Sequence, residues 1–122
     1  MATDKSVLVV DDEIFFRNVL KELLVNNGYV IAGEAADGAE AVASYSECSP
    51  ALVLMDIYMP NKNGIEAIKE ILAADPSAKI LVCSSTGYDD DINAAISLGA
   101  KGIIYKPFYE EEILTTIKGQ IG

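Results

Sequence analysis

Short apolar runs that stop at polar residues alternate along this chain with stretches whose apolar residues recur every three or four positions. Ser6 to Val10 (SVLVV) is β-branched-rich, ends at two aspartates, and predicts a strand buried on both faces. Phe16, Val19, Leu20, Leu23 and Leu24 then follow at helical spacing until Asn26-Asn27-Gly28 stops the helix. Tyr29 to Ala35 predicts a second strand, weakened by Gly33 and so nearer a sheet edge. Asp37-Gly38 opens a helix with Ala41, Val42 and Tyr45 inward, and Ser49-Pro50 ends it. Ala51 to Met55 is the third strand, running into Asp56. A loop from Tyr58 to Gly64 leads to a helix carrying Ile65, Ile68, Ile71 and Leu72, which Asp75-Pro76 breaks. Lys79 to Cys83 is the fourth strand, followed by Ser84-Ser85-Thr86-Gly87. The next helix carries Ile92, Ala95 and Ile96 and ends near Gly99. Gly102 to Tyr105 is the fifth strand, followed by Lys106-Pro107 and a last helix presenting Ile113, Leu114, Ile117 and Ile121.

Five strand–helix units with near-continuous apolar strands predict an α/β fold with a parallel sheet covered on both faces. Right-handed crossovers then give a three-layer doubly wound (βα)5 sandwich. The 122 residues suit one domain over 1–122, with no repeat or linker between units.

Charge narrows the function. With 9 basic and 19 acidic residues the net charge is −10, which repels phosphate backbones, so no direct nucleic-acid binding is expected. The same acidity favours divalent cations and basic protein partners. There is no histidine, which excludes a Ser-His-Asp triad, a His-ligated metal and a phosphohistidine on this chain. Cys48 and Cys83 form no C-x-x-C pair and read as small buried hydrophobes, in keeping with a reducing, cytoplasmic setting. The N-terminus has no signal-peptide apolar core, and no apolar run is long enough to span a membrane.

In a parallel sheet, functional groups gather beyond the carboxyl ends of the strands. Asp11 and Asp12 follow strand 1, Asp56 strand 3, Ser84 strand 4 and Lys106 strand 5. If strand 1 lies between strands 2 and 3, the three aspartates share a crevice. Each pair at ~5 Å and an effective dielectric near 20 costs roughly 3 kcal/mol, so either a proton or a cation joins them. Oxygen-only ligands select a hard ion such as Mg2+. With a lysine and a hydroxyl at the rim, this set can accept a phosphoryl group on one aspartate. Each piece alone has a plainer reading. Asp11-Asp12 serves equally as a helix cap, Lys106-Pro107 as a surface turn, and Ser84 to Thr86 as a self-satisfied loop. Their common placement at one sheet edge is what favours a site.

The ordered set closely resembles the receiver domain of bacterial two-component response regulators (CheY-like). The stretches that carry the resemblance are Val7 to Glu13 (VLVVDDE), Leu52 to Pro60 (LVLMDIYMP) with Asn63-Gly64, Leu81 to Ser85 (LVCSS), and Gly99 to Phe108 (GAKGIIYKPF). Together with the element order they cover essentially the whole chain. The resemblance implies strand order 2-1-3-4-5. It implies Asp56 as the phosphoacceptor, and a Mg2+ (or Mn2+) site from Asp11, Asp12, Asp56 and the backbone carbonyl of Tyr58. Ser84 takes the hydroxyl switch position and Lys106 the lysine position. The phosphoryl donor would be a phosphohistidine on a sensor histidine kinase or phosphotransfer protein. The domain would act as a switch that assists only its own phosphorylation and dephosphorylation. A downstream protein would read it on the face of the fourth helix, fifth strand and fifth helix.

One position departs. Members often carry an aromatic residue three positions before the lysine, where this chain has Ile103, with Tyr105 two residues on and facing the same way. Tyr58 and Thr86 stand two residues past Asp56 and Ser84, where they either tune phosphoryl lifetime or are plain exposed loop. Asp89-Asp90-Asp91 and Glu110-Glu111-Glu112 suit helix N-termini and also colour the partner face.

Two other functions share the fold or the chemistry. A haloacid-dehalogenase-type phosphohydrolase needs D-x-D after its first strand, whereas Asp11 and Asp12 are adjacent. A flavodoxin-like electron carrier needs its phosphate loop after strand 1, where these aspartates repel it. The expected protein is a CheY-like regulator in chemotaxis or a phosphorelay, either standing alone or as the N-terminal part of a longer protein.

Overall fold

Five strands and five helices alternate in the order the periodicity predicts. They are β1 (Ser6–Val10), α1 (Ile14–Asn26), β2 (Val30–Ala35), α2 (Gly38–Cys48), β3 (Leu52–Asp56), α3 (Gly64–Ala74), β4 (Ile80–Ser84), α4 (Asp89–Leu98), β5 (Gly102–Tyr105) and α5 (Glu110–Ile121). These come from a computed structural model that describes residues 5–59, 61–84 and 89–122. The strands form one parallel sheet in the order β2-β1-β3-β4-β5. This is the doubly wound, flavodoxin-like arrangement, and the order reverses between β1 and β3.

Alternation along the strands divides the core in two. Leu8, Val10, Val53, Met55, Ile80 and Val82 face α2, α3 and α4. Val7, Val9, Leu52, Leu54, Leu81, Cys83 and Ile104 face α1 and α5. β1, β3 and β4 are buried at every position, whereas the edge strands β2 and β5 are only partly covered. Each large aliphatic side chain removed from water contributes about 1.5–3 kcal/mol, so the three central strands anchor the fold.

Most of the expected inward helix positions are covered. Leu20, Leu23 and Leu24 of α1, Ile68 and Ile71 of α3, and Ile113 and Ile117 of α5 are buried. Ile92 and Ala95 pack α4 against the sheet, while Ile96 is 43% exposed. Tyr29 is a correction. Its N–H donates to the Leu24 carbonyl, so it belongs to the exit of α1, and β2 starts one residue later. Gly33 does lie on an edge strand, beside a register shift where β1 passes from Val7 to Leu8. Asp56 and Ser84 close their strands from within, so sheet pairing itself fixes their backbones.

The loop between β3 and α3 is pinned at its far end by Gly64. The Gly64 N–H donates to the Ile57 carbonyl at 2.8 Å, and a Cβ there would meet the Asp56 carbonyl oxygen at 2.1 Å. A side chain at this position must push the end of β3 away. Asn63 begins α3 with a capping box, accepting from the Glu66 N–H while the Glu66 carboxylate accepts from the Asn63 N–H.

Gly64→Ala is expected to lower stability by about 2–4 kcal/mol in urea unfolding and to shift the backbone amides of Asp56 and Ile57. An unchanged midpoint would show that the helix does not press on the strand here.

Candidate functional site

Strand parity explains why separate segments meet. Asp56 continues the face of Leu52 and Leu54, Lys106 that of Ile104, and Asp11 that of Val7 and Val9. All three therefore turn toward the α1–α5 side at the strand ends. Pairing of β1 extends one residue beyond the strand through the Asp11 N–H, which donates to the Ala35 carbonyl at 3.1 Å.

Asp11 is fully buried and Asp56 is 5% exposed, whereas Asp12 faces solvent. One carboxylate oxygen from each of the three lies within 4.8 Å of the others. The Lys106 ammonium sits 2.7 Å from Asp11 Oδ2 and 3.6 Å from Asp56 Oδ2. The first contact is an ion pair off the line of a directed hydrogen bond, so Asp11 Oδ2 is a buried oxygen with no aligned donor. The other oxygen, Oδ1, accepts from the Glu13 N–H at 2.9 Å. Asp11 thus ties down the turn that leads into α1, whose N-cap is Glu13 without a side-chain cap, and lines the pocket.

The charges are unbalanced. Burial and then the Asp11 charge push the Asp56 carboxyl up to about 7, with Asp12 adding to this, while Lys106 and the Tyr58 N–H pull it down. Burial alone would lower the Lys106 ammonium, but contact with Asp11 and the charge of Asp56 outweigh it and hold Lys106 above its ordinary range. One buried cation does not satisfy three acids. The donors are all oxygen, one of them buried without an aligned partner, and Asp12 opens the site to water. A hard divalent cation fits that set.

Ser84 is buried and adjoins the cluster through the sheet, since Asp56 pairs with Cys83 and the Lys106 N–H donates to the Ser84 carbonyl at 2.8 Å. By parity Ser84 continues the face of Ile80 and Val82, toward α4. Ile103 is half-buried against that same core, and Tyr105, opposite Ser84 in the register, is 54% exposed. Tyr58 is exposed on its loop and its hydroxyl donates to the Asp91 carboxylate on α4. Thr86 lies outside the described residues, as do Pro60, Ser85 and Gly87. Cys83 is buried and Cys48 half-buried, both as free thiols, and burial pushes the Cys83 thiol well up.

Several residues of the site are not evident from strand-end reasoning. Phe16 on the first turn of α1 places its ring 4.2 Å from the Lys106 ammonium and makes an edge contact with Phe108. Arg17 donates to the Asp11 carbonyl at 2.6 Å and pairs with Glu34. Asp91 reaches Tyr58 across the gap to α4. Their only signal in the sequence is position, on the first turn of the helix that follows Asp11-Asp12 or of the helix that follows Ser84.

A doubly wound parallel sheet with three acids and a lysine at its carboxyl edge defines the class of protein. The sequence matches the response regulator receiver domain family over residues 7–118. The chemotaxis protein CheY of Thermotoga maritima is 49% identical over 113 residues, spanning 93% of this chain and 94% of that protein. The CheY of Bacillus subtilis is 46% identical, spanning 91% and 92%. In the crystal structure of the CheX-CheY-BeF3-Mg2+ complex of Borrelia burgdorferi, a chain 31% identical superposes with a TM-score of 0.90, covering 93% of this chain and 87% of that one. The chain belongs to the response regulator receiver domain family and is CheY-like. Among the described residues, no helix is long and apolar enough to cross a membrane.

The raised Asp56 carboxyl has a stability consequence. The folded state holds this proton more tightly than the unfolded chain, so stability contributed below about pH 4 is lost as pH rises toward 7. Metal-free Asp56→Asn protein is expected to be more stable than the wild type at pH 8, by on the order of 2–4 kcal/mol, with the gap closing by pH 4. Equal urea midpoints at pH 8 would mean that the three acids are not in conflict.

Proposed function

We propose that this receiver domain is a phosphorylation-controlled switch whose acceptor is Asp56. The observation that carries the reading is the convergence of Asp11, Asp12 and Asp56 within 4.8 Å, with Lys106 between two of them. The donor is a phosphohistidine on a sensor histidine kinase or phosphotransfer protein. An Asp56 carboxylate oxygen attacks phosphorus in line, the P–N bond breaks, and the imidazole leaves with the electron pair and takes up a proton. Asp11, Asp12, Asp56 and the Tyr58 carbonyl would hold Mg2+ or Mn2+, which neutralises charge on the phosphoryl oxygens.

Lys106 is free to follow the new charge, because its contact with Asp56 is longer than its contact with Asp11. Ser84 donates its hydroxyl to a phosphoryl oxygen. The shared backbone hydrogen bond between Ser84 and Lys106 makes the two move as neighbours on β4 and β5. Tyr58, through Asp91, and Ser84, through its face of the sheet, both lead to α4, and with Thr86 they tune phosphoryl lifetime. Two arrangements of α4 and its loop are thereby biased. Ile103 is too small for a rotating aromatic ring, and Tyr105 offers an exposed ring in its place.

The reader of the switch is a protein that docks on α4, β5 and α5. Ile96 and Tyr105 are exposed there, and Tyr105, Glu111, Glu112 and Thr115 line a groove, which suits a partner with apolar and basic groups. The structurally similar CheY of Borrelia burgdorferi is solved in a complex with CheX, which supports a protein as the partner. Residues 1–122 act as one receiver unit with no turnover of an outside substrate, consistent with a family of signalling switches. No observation at the sheet edge favours a phosphohydrolase or a flavin carrier.

Incubation with labelled acetyl phosphate and Mg2+ should label wild-type protein, and the label should be absent from Asp56→Asn. Ser84→Ala should still take up label but lose most of the accompanying change in α4 amide shifts. Label retained by Asp56→Asn would move the acceptor elsewhere.

A further inference from the structure

Lys106 is the pivot of the site, and its ammonium has an aromatic neighbour besides its two carboxylate partners. Its side chain is 4% exposed, with Asp11 at 2.7 Å and Asp56 at 3.6 Å. The Phe16 ring lies over the ammonium, centroid to Nζ 4.2 Å. A cation against an aromatic face is attracted by the ring's quadrupole, and the attraction grows when water is excluded.

The ring is itself held. Phe108, two residues past Lys106, meets Phe16 edge-on at 5.6 Å and 84°, and Phe15 meets it at 5.3 Å and 73°. Phe16 belongs to neither of the two packed cores, whereas Leu20, Leu23 and Leu24 of the same helix are in the core on the α1–α5 side. The aromatic side chain is thus spent on Lys106 and Phe108 and contributes little to packing the sheet.

We propose that Phe16 is a positioning residue for Lys106. The ring closes the side of the ammonium away from the acids, keeps it dehydrated, and limits its swing to the arc between Asp11 and Asp56. A charge arriving on Asp56 then meets a lysine already aimed, in place of one that must be gathered from solvent. An aliphatic residue at this position fills space but supplies no quadrupole. The proposal rests on Asp56 being the acceptor, and its tests separate the two ideas.

The direct test is the NMR spectrum of wild-type protein with Mg2+. Ring currents should place the side-chain CH2ε protons of Lys106 upfield of those of the other lysines, and Phe16→Leu should remove the shift. Ordinary Lys106 shifts in the wild type overturn the proposal whether or not the protein is phosphorylated. The kinetic test uses acetyl phosphate at saturating Mg2+. Phe16→Leu should slow phosphoryl uptake about 3- to 10-fold, while Phe16→Tyr, which keeps the ring, stays within about twofold of wild type. Mg2+ affinity should be unchanged in both, because Asp11 and Asp12 are untouched. A Leu variant at the wild-type rate, or a Tyr variant as slow as the Leu variant, overturns the proposal. Should the Leu variant fail to fold, the wild-type shift and the Tyr variant decide. A wild-type protein that shows the upfield shift but takes no label refutes the acceptor assignment and leaves the Phe16–Lys106 geometry standing.

Discussion

Mutual repulsion among three carboxylates is the constraint around which this protein is organised. Asp11 and Asp56 are almost wholly removed from water, and their oxygens and that of Asp12 lie within 4.8 Å. Isolated buried acids would take up protons. Lys106 prevents this only in part, as the raised Asp56 carboxyl shows. A further positive charge would relieve the pocket, and the proposed function uses that imbalance: a group transferred to Asp56 would act on a lysine whose two carboxylate partners already compete for it.

The fold turns that imbalance into a direction. Parity along the strands sends Asp11, Asp56 and Lys106 toward the α1–α5 side and Ser84 toward α4. Asp56 and Ser84 thus close adjacent strands at one sheet edge, so the acids and the hydroxyl are neighbours there. Tyr58 adds a second link from the β3–α3 loop to α4 through Asp91. The central strands are buried at every position, whereas Ile96 of α4 remains exposed. On the other side of the pocket, Phe16, Phe108 and Arg17 enclose Lys106 and the Asp11 backbone.

Much of this was legible from residue order. Apolar runs ending in aspartate, serine or a lysine two residues before an aromatic marked both the strands and the polar edge, because a strand buried on two faces tolerates no charge until it leaves the core. Less legible were the residues that one sheet edge borrows from neighbouring helices. Phe16 reads as one more apolar position of α1, and only the approach of β5 to that helix makes it a neighbour of Lys106. Ile96 shares the helical spacing of Ile92 and Ala95, yet only the packed helix shows that it stays exposed. Tyr29 reads as strand because it is aromatic and precedes β-branched residues, but the Leu24 carbonyl, which also accepts from the Asn27 N–H, takes its N–H.

The sequence by itself determined the alternation of strands and helices, the parallel sheet, and the identity of the acids, hydroxyl and lysine at its carboxyl edge. These follow from local periodicity and from the cost of burying charge, which act within a few residues. Tertiary structure alone decided which acid is buried and which is open to water, which oxygen the lysine chooses, and which ring faces it. Those depend on distances between segments as far apart in the chain as Asp11 and Lys106, and strand order sets such distances only once the whole sheet has closed.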